Sequence, residues 1–240
     1  MPLVRLDKII TDTGLCSRRS AKEQIKAGHV SVNGRVVTDA AEKFDPETVR
    51  ISLDGEEIDS SEHIYVMLHK PAGLLSATKD PRKPTVLDLM PMEWCRRGLF
   101  PVGRLDKDTT GFLILTDDGD FAHRVISPKS RIPKLYEAEV DGTASEEDER
   151  AFAEGIVLAD GTQCLPARLE RLGSGLVYVE VYEGKYHQVK RMLASRRLPV
   201  TALRRLRIGD LPLDESLQPG EYRLLTNDEL NRIYPGFLSK

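Results

Sequence analysis

The chain has 240 residues, of which 40% are hydrophobic and 30% charged, and its formal net charge at pH 7 is -3. This length and hydrophobic content suffice for one large domain or for a large and a small one, and they exclude a disordered or fibrous protein. The cysteines Cys16, Cys95 and Cys164 are far apart and have no C-x-x-C spacing, so they indicate neither a disulfide framework nor a cysteine zinc site.

No segment of the sequence indicates export or a membrane span. The N-terminal stretch MPLVRLDKIITDTG is charged from Arg5 onward and lacks an apolar core of signal-peptide length. No later segment approaches the roughly 18 apolar residues that a bilayer span requires. We therefore expect a cytoplasmic protein with no membrane contact.

Charge is distributed unevenly along the chain. Residues 1–36 contain seven Lys and Arg against three Asp and Glu, whereas residues 37–63 contain two against nine. Residues 137–160 contain nine acids and one base, whereas residues 184–207 contain eight bases and no acid. The small net charge argues against indiscriminate nucleic-acid binding, but the two basic segments predict two surfaces that a polyanion can bind.

The first 28 residues predict two short helices. Apolar residues at helical spacing precede a glycine that can end the first helix: Leu3, Leu6, Ile9, Ile10 and Gly14. Ser17 can cap a second helix, RRSAKEQIKAG, in which Ala21 and Ile25 face inward and Gly28 ends the last turn.

Two hairpins and a linker are predicted next. HVSVNGRVV alternates apolar and polar residues up to Asn33-Gly34, the strongest short hairpin signal, and Val36 continues the return strand. VRISLDGEEI adds a strand with an Asp54-Gly55 turn. The acidic stretch DGEEIDSSEH contains no aromatic residue and predicts a linker.

A basic cluster marks a candidate RNA-binding face in this N-terminal segment. Its members are Arg18, Arg19, Lys22, Lys26 and Arg35. A charge run alone is more often a solvated helix face. However, RLDKIITDTGLCSRRSAKEQIKAGHVSVNGRVV resembles the S4 RNA-binding domain, in which the second helix and the adjoining hairpin face the RNA. We therefore assign residues 1–60 to a small S4-like αβ RNA-binding domain.

Residues 61–240 predict a larger α+β domain. Alternating stretches predict strands in IYVMLHK, FLILT, LYEAEV, LVYVEVYEG and TALRRLRIG. Helices are predicted to begin near Ser145, near His187 and at Thr226, where Glu229 completes capping-box spacing. Strands dominate without regular β-α-β alternation, so we expect a mixed, mainly antiparallel sheet.

The familiar cofactor and metal signatures are absent from the sequence. It contains no P-loop, no G-x-G-x-x-G opening a helix, no H-E-x-x-H and no G-x-S-x-G. The five histidines are scattered, and none forms a closely spaced ligand pair with another. We expect no cofactor and no metal site.

The stretch VGRLDKDTTGFLILTDDGD contains five carboxylates, for which we predict different roles. Residues 117–120 follow the apolar run and most simply form a turn with a solvated rim. Asp106 and Asp108 precede the run beside Arg104 and Lys107, so a loop there would hold an ionised carboxylate that can act as nucleophile or general base. The simpler alternative is a surface aspartate that pairs with Arg104.

Three motifs resemble those of the ribosomal pseudouridine synthases. GRLDKDTTGFLILTDDG is similar to their active-site motif, and KLYEAEV and EGKYHQVKRM are similar to two further motifs in the same order. With the S4-like segment, the resemblance covers nearly the whole chain. HKPAGLLSATKDPRKPTVLDLM and ISPKSRIPKLYEAEV are most similar to the branch that acts on small-subunit 16S rRNA. The resemblance implies a pseudouridine synthase catalytic domain over residues 61–240.

The resemblance also implies an isomerisation and its residues. The bond between uracil nitrogen and ribose breaks, the extruded base rotates, and carbon 5 is rejoined to the sugar. Asp106 would attack the sugar or the base, or assist sugar deprotonation. Tyr136 would stack on the target base and can act in proton transfer. Lys190 would pair with Asp106, with Arg191 as the alternative, because adjacent helix residues point about 100° apart.

A second set of basic residues is predicted to bind RNA. It contains Arg104 and the bases around the third motif, Lys185, Arg191, Arg196, Arg197, Arg204, Arg205 and Arg207. Lys190 belongs to the same stripe if it does not pair with Asp106. His187 and Gln188 are expected to order the pocket or the turn into the helix.

The implied substrate is one uridine of 16S rRNA, uridine 516 in the family. The sequence leaves open whether the rRNA is free or lies in a partly assembled small subunit, and it demands no more than a monomer. An enzyme of the same family acting on 23S rRNA is one alternative. The other is a catalytically silent S4-domain assembly factor, whose signature would be the loss of the aspartate or tyrosine that this chain retains as Asp106 and Tyr136.

Overall fold

A computed structural model of the chain describes residues 3–46, 48–58 and 63–237. They form two compact units: the described residues up to Ile64 with Met90–Phe100, and Tyr65–Leu89 with the described residues from Pro101 onward. The sequence did not indicate that Met90–Phe100 groups with the first unit. The boundary between residues 60 and 61 stays a prediction, since 59–62 lie outside the described residues. No helix in the described ranges is long and apolar enough to cross a bilayer.

The first unit contains short helices and strands. Its described helices are α1 (Leu6–Asp12), α2 (Arg18–Ala27) and α3 (Met92–Arg96), and its described strands are β1 (Val4–Arg5), β2 (Val30–Val32), β3 (Arg35–Val36), β4 (Lys43–Phe44), β5 (Ile51–Leu53) and β6 (Glu56–Ile58). One sheet has the order β3-β2-β5-β6, and β1 pairs with β4.

Local sequence signals account for the helix and hairpin ends in this unit. The Ser17 hydroxyl accepts a hydrogen bond from the Ser20 amide at 3.3 Å and caps α2, and Gly28 ends the helix in the left-handed region at φ 83°. Asn33 and Gly34 both have positive φ, as the tight hairpin between β2 and β3 requires. These predictions are confirmed.

Two expectations for the first unit are wrong. Leu3 was included in the apolar pattern of the first helix, but α1 begins at Leu6 and Leu3 is 59% exposed. The predicted linker begins too early, because its first residues form the Asp54-Gly55 turn and strand β6, whose Ile58 is buried. The strand pairs with β5, and this pairing satisfies its backbone and buries its one apolar side chain.

The second unit is organised around one large sheet. Its strands are β7 (Tyr65–Lys70), β8 (Phe100–Pro101, at the boundary between the units), β9 (Thr110–Thr116), β10 (Lys134–Val140), β11 (Arg168–Gly173), β12 (Leu176–Val181), β13 (Val200–Ile208), β14 (Leu211–Pro212) and β15 (Tyr222–Leu224). Its helices are α4 (Gly119–Ile126), α5 (Glu146–Glu154), α6 (Gln188–Ser195) and α7 (Asn227–Ile233), with 3-10 turns at Val86–Leu89 and Pro128–Ser130.

The main path of this sheet has the order β11-β12-β10-β13-β9-β7-β15. Each neighbouring pair on this path is antiparallel except β9 and β13, which are parallel. The mixed, mainly antiparallel α+β architecture predicted from the sequence is therefore confirmed. Strand β13 occupies the centre, between β10 and β9, and connects the two halves of the sheet.

One row of residues crosses the sheet where β9 begins. Lys70, Gly111, Arg205, Tyr136 and Val179 are successive register partners on five adjacent strands. A β-carbon added to Gly111 would lie 2.2 Å from the Arg205 carbonyl oxygen, and Gly111 has φ 101°. Only glycine fits this close approach of β9 to β13.

Helix α6 packs over the β10 and β12 side of the sheet. Its buried residues Val189, Met192 and Leu193 belong to the same hydrophobic cluster as Ala138 and Val177. Tyr136 packs against this cluster, as expected from its alternation with Ala138 along β10. Tyr136 and α6 therefore lie on the same face.

The expected solvated turn at residues 117–120 is also wrong. Asp118 is 7% exposed, and its Oδ1 accepts hydrogen bonds from the amides of Asp120 and Phe121, both at 2.9 Å. Its Oδ2 accepts the Tyr65 hydroxyl at 2.7 Å. Asp118 therefore caps a helix, α4, that the sequence analysis did not predict.

Candidate active site

Asp106 lies in the loop that leads into β9, and interactions beneath the loop fix its shape. The Ser76 hydroxyl donates to the Leu105 carbonyl at 2.9 Å and accepts from the Leu105 amide at 3.1 Å. The Thr109 amide donates to the Asp106 carbonyl at 3.1 Å and closes a turn around the aspartate. The Asp106 side chain is 25% exposed, so the loop presents a positioned carboxylate that solvent and substrate can reach.

Lys70 supports the same loop from the sheet. Its side chain is fully buried, and its ammonium donates to the carbonyls of Pro71, Lys107 and Thr109 at 3.0, 3.3 and 2.9 Å. Burial lowers the pKa of Lys70 to about 8, although the charges of Asp108 and Asp106 oppose the shift. A positive charge therefore lies under the carboxylate loop and satisfies its inward-facing carbonyls.

Helix α6 brings Lys190 to this loop from 84 positions further along the chain. The Lys190 Nζ is 3.2 Å from Asp106 Oδ2 and 2.6 Å from Asp108 Oδ1. Burial lowers the pKa of Lys190, but its hydrogen bonds with Asp108 and Asp106 outweigh this and raise it overall. The hydrogen bond from Lys190 lowers the pKa of Asp108. Arg191 points elsewhere and pairs with Asp160 at 2.5 Å.

His187 completes the surroundings of Asp106. Its Nε2 lies 3.3 Å from Asp106 Oδ1, and its backbone has φ 48° and ψ 35° at the start of α6. This left-handed conformation is uncommon for a residue other than glycine. Gln188 donates to Glu183 at 3.0 Å and accepts from the Lys185 amide at 2.9 Å, so it orders the turn before the helix.

Tyr136 belongs to the row of register partners that crosses the sheet at Gly111, and Arg205 lies between the two residues. The Arg205 Nη1 donates to the Tyr136 hydroxyl at 3.3 Å, and the Arg205 Nε donates to the Phe112 carbonyl at 2.7 Å. Two strand spacings separate Tyr136 from Gly111, which is about 10 Å between their backbones. Lys190 contacts Asp106 directly, whereas Tyr136 lies on the α6 side of the sheet, two strands away from the strand that follows the Asp106 loop.

The basic residues of the first unit divide into paired and exposed groups. Arg18 and Lys22 lie 3.2 and 3.8 Å from Asp7 Oδ2, where Arg5 also binds. The hydrogen bond from Arg5 lowers the pKa of the buried Asp7 to about 2. Arg19 pairs with Glu23 on the exposed face of α2 at 3.1 Å, Arg35 pairs with Glu42, and Lys26 is exposed. The buried Asp7 carboxylate therefore holds Arg5, Arg18 and Lys22 together on one side of this unit.

The basic segment 184–207 does not form the unpaired stripe that its composition suggested. Arg196 pairs with Asp148 and Glu147 at 2.7 and 3.1 Å, Arg191 with Asp160, Lys185 with Glu183, and Arg207 with Glu180. The fold brings the acidic segment 137–160 against the basic one, and much of the charge asymmetry cancels. Arg104 and Arg197 are exposed.

The contacts of Lys70 and Ser76 with the loop, and of Arg205 with Tyr136, were not predicted from the sequence. A lysine that ends the apolar run IYVMLHK was the available signal for Lys70, because a lysine is rarely fully buried unless its charge is satisfied. Within the described ranges, no group of three or more His, Cys, Asp or Glu side chains is arranged to hold a metal ion.

Comparisons with known proteins agree with this geometry. A family model described as RNA pseudouridylate synthase matches residues 64–195, and an S4 domain model matches residues 4–49. The chain is 44% identical over 234 residues to an RNA pseudouridine synthase of Bacillus subtilis, YtzG, covering 96% of this chain and 98% of the relative.

Relatives named ribosomal small subunit pseudouridine synthase A are also similar. The Vibrio cholerae protein is 40% identical over 232 residues and the Escherichia coli protein 39% over 235 residues, each covering 96% of this chain and 100% of the relative. A crystal structure of a pseudouridylate synthase superimposes with a TM-score of 0.67 at 38% identity, covering 96% of this chain and 99% of the other.

Proposed function

Because the chain belongs to the RNA pseudouridylate synthase family and has an S4 domain, we propose that it isomerises one uridine of 16S rRNA to pseudouridine, at uridine 516 in the family's numbering. The similarity to the V. cholerae and E. coli small-subunit enzymes over 96% of this chain supports the choice of rRNA. The main structural support for catalysis is the partly exposed Asp106 carboxylate, which lies 3.2 Å from the Lys190 ammonium. Both residues belong to motifs that resemble those of the family.

In this proposal Asp106 is the catalytic carboxylate. The bond between ribose C1′ and uracil N1 breaks, the base turns in the pocket, C1′ bonds to C5, and the C5 proton is transferred to N1. Asp106 attacks the sugar or the base, or removes a sugar proton, while Lys190 provides the opposing charge. Fixing the loop through Lys70 and Ser76 holds the carboxylate in place before the substrate binds. The reaction consumes no co-substrate and has no net redox change, since substrate and product are isomers, and in this proposal it uses no cofactor.

Tyr136 stacks on the extruded uracil and can transfer a proton. Its hydroxyl contact with Arg205, which is 4% exposed, limits how far the ring can turn. A fixed aromatic ring offsets part of the cost of unstacking the target base.

The remaining basic residues bind RNA phosphates in this proposal. In the first unit they are Arg18, Arg19, Lys22, Lys26 and Arg35, and in the second they are Arg104, Lys185, Arg191, Arg196 and Arg197. Those in ion pairs exchange a carboxylate for a phosphate or act through the local field, whereas Lys26, Arg104 and Arg197 are exposed and directly accessible. The protein acts as a cytoplasmic monomer on 16S rRNA, free or in a partly assembled small subunit.

The test is Asp106→Asn with Asp108→Asn as its matched control. Both carboxylates contact Lys190, but Asp108 is 76% exposed whereas Asp106 is 25% exposed. We expect Asp106→Asn to lower the rate of pseudouridine formation by about 10²–10⁴-fold or more, with RNA affinity within severalfold. Asp108→Asn should retain activity within about tenfold. Retained turnover by Asp106→Asn would refute its catalytic role.

Mapping pseudouridines in a strain that lacks the gene identifies the substrate. The 16S site should return to uridine, and all 23S sites should remain modified. A lost 23S site instead would move the target to the large subunit. If no site changes in either rRNA and the protein still binds rRNA, it acts as a silent assembly factor. Incubating the purified enzyme with naked and protein-loaded 16S rRNA separates the two substrate forms.

A further inference from the structure

Tyr186 is an exposed aromatic residue that the proposed reaction leaves without a role. Its side chain is 76% exposed, although it directly precedes a residue in contact with Asp106. One face of its ring stacks on the His187 ring, with centroids 3.8 Å apart and 18° between the planes. His187 in turn lies 3.3 Å from Asp106. The rings therefore form successive layers that lead outward from the carboxylate, and the outer face of Tyr186 is open.

The loop that carries these rings is held firmly. Glu183 is 5% exposed, accepts from Gln188 at 3.0 Å and from the Leu165 amide at 2.8 Å, and pairs with Lys185 at 3.0 Å. On the other side, Arg191 donates to the Tyr186 carbonyl at 3.5 Å. The exposed ring is therefore presented by an anchored backbone, so little freedom remains to be lost on binding.

The strained backbone of His187 supports a binding role for the stack. A left-handed conformation at a residue other than glycine persists where the surroundings impose it, and it occurs often at ligand sites. Here it turns the imidazole toward Asp106 while its ring supports Tyr186.

An RNA strand offers a partner with the required chemistry. When one nucleotide is extruded into a pocket, its neighbours lose a stacking surface on one side. Exposed aromatic rings replace that surface in single-stranded RNA recognition, because every base has a flat face of matching size. The open face of Tyr186, next to a pocket proposed to hold an extruded uridine, meets this requirement.

We propose that the outer face of Tyr186 stacks on the unpaired nucleobase that neighbours the target uridine in the substrate strand. The proposal rests on the proposed function. The base concerned is the neighbour and not the target, because His187 and the Tyr186 ring both separate this face from Asp106. Tyr186 is thus a residue that positions the RNA, and it takes no part in the bond changes.

The test compares Tyr186→Ala and Tyr186→Phe on short RNA oligonucleotides. One RNA contains the mapped uridine in its natural sequence, and two others carry an abasic nucleotide immediately before or after it. On the natural RNA, Tyr186→Ala should lower kcat/KM about tenfold through KM, with the single-turnover rate at saturation within twofold. Tyr186→Phe should stay within twofold of the wild type, because the stacking face is preserved.

The abasic RNAs provide the decisive comparison. On one of the two, the wild type should itself lose about tenfold, and Tyr186→Ala should cost less than a further twofold. Leu172→Ala is the control, because it removes a 40% exposed apolar side chain from β11. Its kcat/KM should equal that of the wild type on each of the three RNAs. The stacking proposal would be overturned if Tyr186→Ala left kcat/KM on the natural RNA unchanged, or if it lowered kcat/KM equally on all three RNAs.

Failure of the two proposals can be told apart. If the wild type isomerises the natural RNA but Tyr186→Ala and Tyr186→Phe have the same kcat/KM, the proposed stacking by Tyr186 is wrong and the enzyme assignment stands. If the wild type forms no pseudouridine in these RNAs or in naked or protein-loaded 16S rRNA, the enzyme assignment itself fails, and the stacking proposal fails with it.

Discussion

Two lysines of the second unit are buried with their ammonium groups directed at backbone carbonyls. Lys70 binds three carbonyls of the carboxylate loop and its surroundings, and Lys134 donates to the Val125 carbonyl at 2.9 Å. Burial lowers the pKa of each to about 8, and for Lys134 the nearby Arg205 adds to the shift. In both cases backbone carbonyls, and not carboxylates, are the hydrogen-bond partners of a buried ammonium group.

Lys134 gives a pH-dependent stability that can be measured. Its pKa is about 8 in the folded chain against 10.5 normally, so between pH 8 and 10 the unfolded state binds more protons and the free energy of unfolding rises with pH. Relative to Lys134→Met, which cannot titrate, the wild type should gain about 2 kcal/mol across this range. Urea unfolding of both proteins at several pH values measures the difference. Parallel curves would contradict the expectation.

At the scale of elements, the cap of α4 shows how one carboxylate fixes a helix start. Asp118 accepts two amides of the first turn and the Tyr65 hydroxyl of β7, so it links the helix to the sheet. We expect Asp118→Ala to lower the free energy of unfolding by about 2–3 kcal/mol, because the cap is lost and the partly buried Tyr65 hydroxyl loses this acceptor. Asp120→Ala is the matched control.

The control removes an exposed carboxylate from the same first turn. It loses only a favourable interaction with the helix dipole, so its cost should stay below about 1 kcal/mol. Thermal or urea unfolding of the two variants supplies the comparison. If Asp118→Ala and Asp120→Ala have the same free energy of unfolding, the hydrogen bonds of Asp118 contribute no stability beyond that of a negative charge in the first turn.

Elements with strong local signals could be predicted from the sequence. The alternating runs around Leu113, Ala138 and Val179 all form strands, and the caps Ser145 and Thr226 begin helices as expected. Helix α4 was missed because Asp-Asp-Gly-Asp also has the composition of a turn. Strand β11, RLERLG, was missed because it is largely polar, and pairing with β12 defines it.

The parts of the site that depend on long-range pairing could not be predicted by local patterns. Resemblance pointed to Asp106, Tyr136 and Lys190, but no spacing rule shows that Arg205 meets the Tyr136 hydroxyl. That contact follows from β13 entering the sheet beside β10, which is a property of the whole strand order. The pairing of segments 137–160 and 184–207 also depends on packing.

For the molecule as a whole, the net charge of -3 does not show which basic residues are paired with carboxylates and which are exposed. Many are paired within the fold, whereas others, such as Lys26, Arg104 and Arg197, are exposed. Arg19 and Lys26 lie on the exposed part of α2 and do not contact the buried Asp7. They can therefore be changed with less risk to the fold than Arg18, which binds that carboxylate.

We expect the double variant Arg19→Gln with Lys26→Gln to weaken 16S rRNA binding and to reduce the slope of log affinity against log salt by about 1.5. Each lost phosphate contact removes counterion release from the binding equilibrium. Arg150→Gln with Arg168→Gln makes the same charge change at exposed positions of the second unit and should leave the slope within about 0.5. Filter binding at several salt concentrations measures the slope, and equal slopes for both variants would remove Arg19 and Lys26 from the interface.

The central place of β13 has a consequence for how the chain is made. While the ribosome has released the chain only as far as α6, β7 with β9 and β10 with β12 and β11 are two ribbons whose inner edges lack a partner. Asp106, Tyr136 and Lys190 have all been synthesised by then, yet no strand joins the ribbons that carry them. The two ribbons therefore join into one sheet only after residues 200–208 emerge, and until then both open edges can capture strands from other nascent chains.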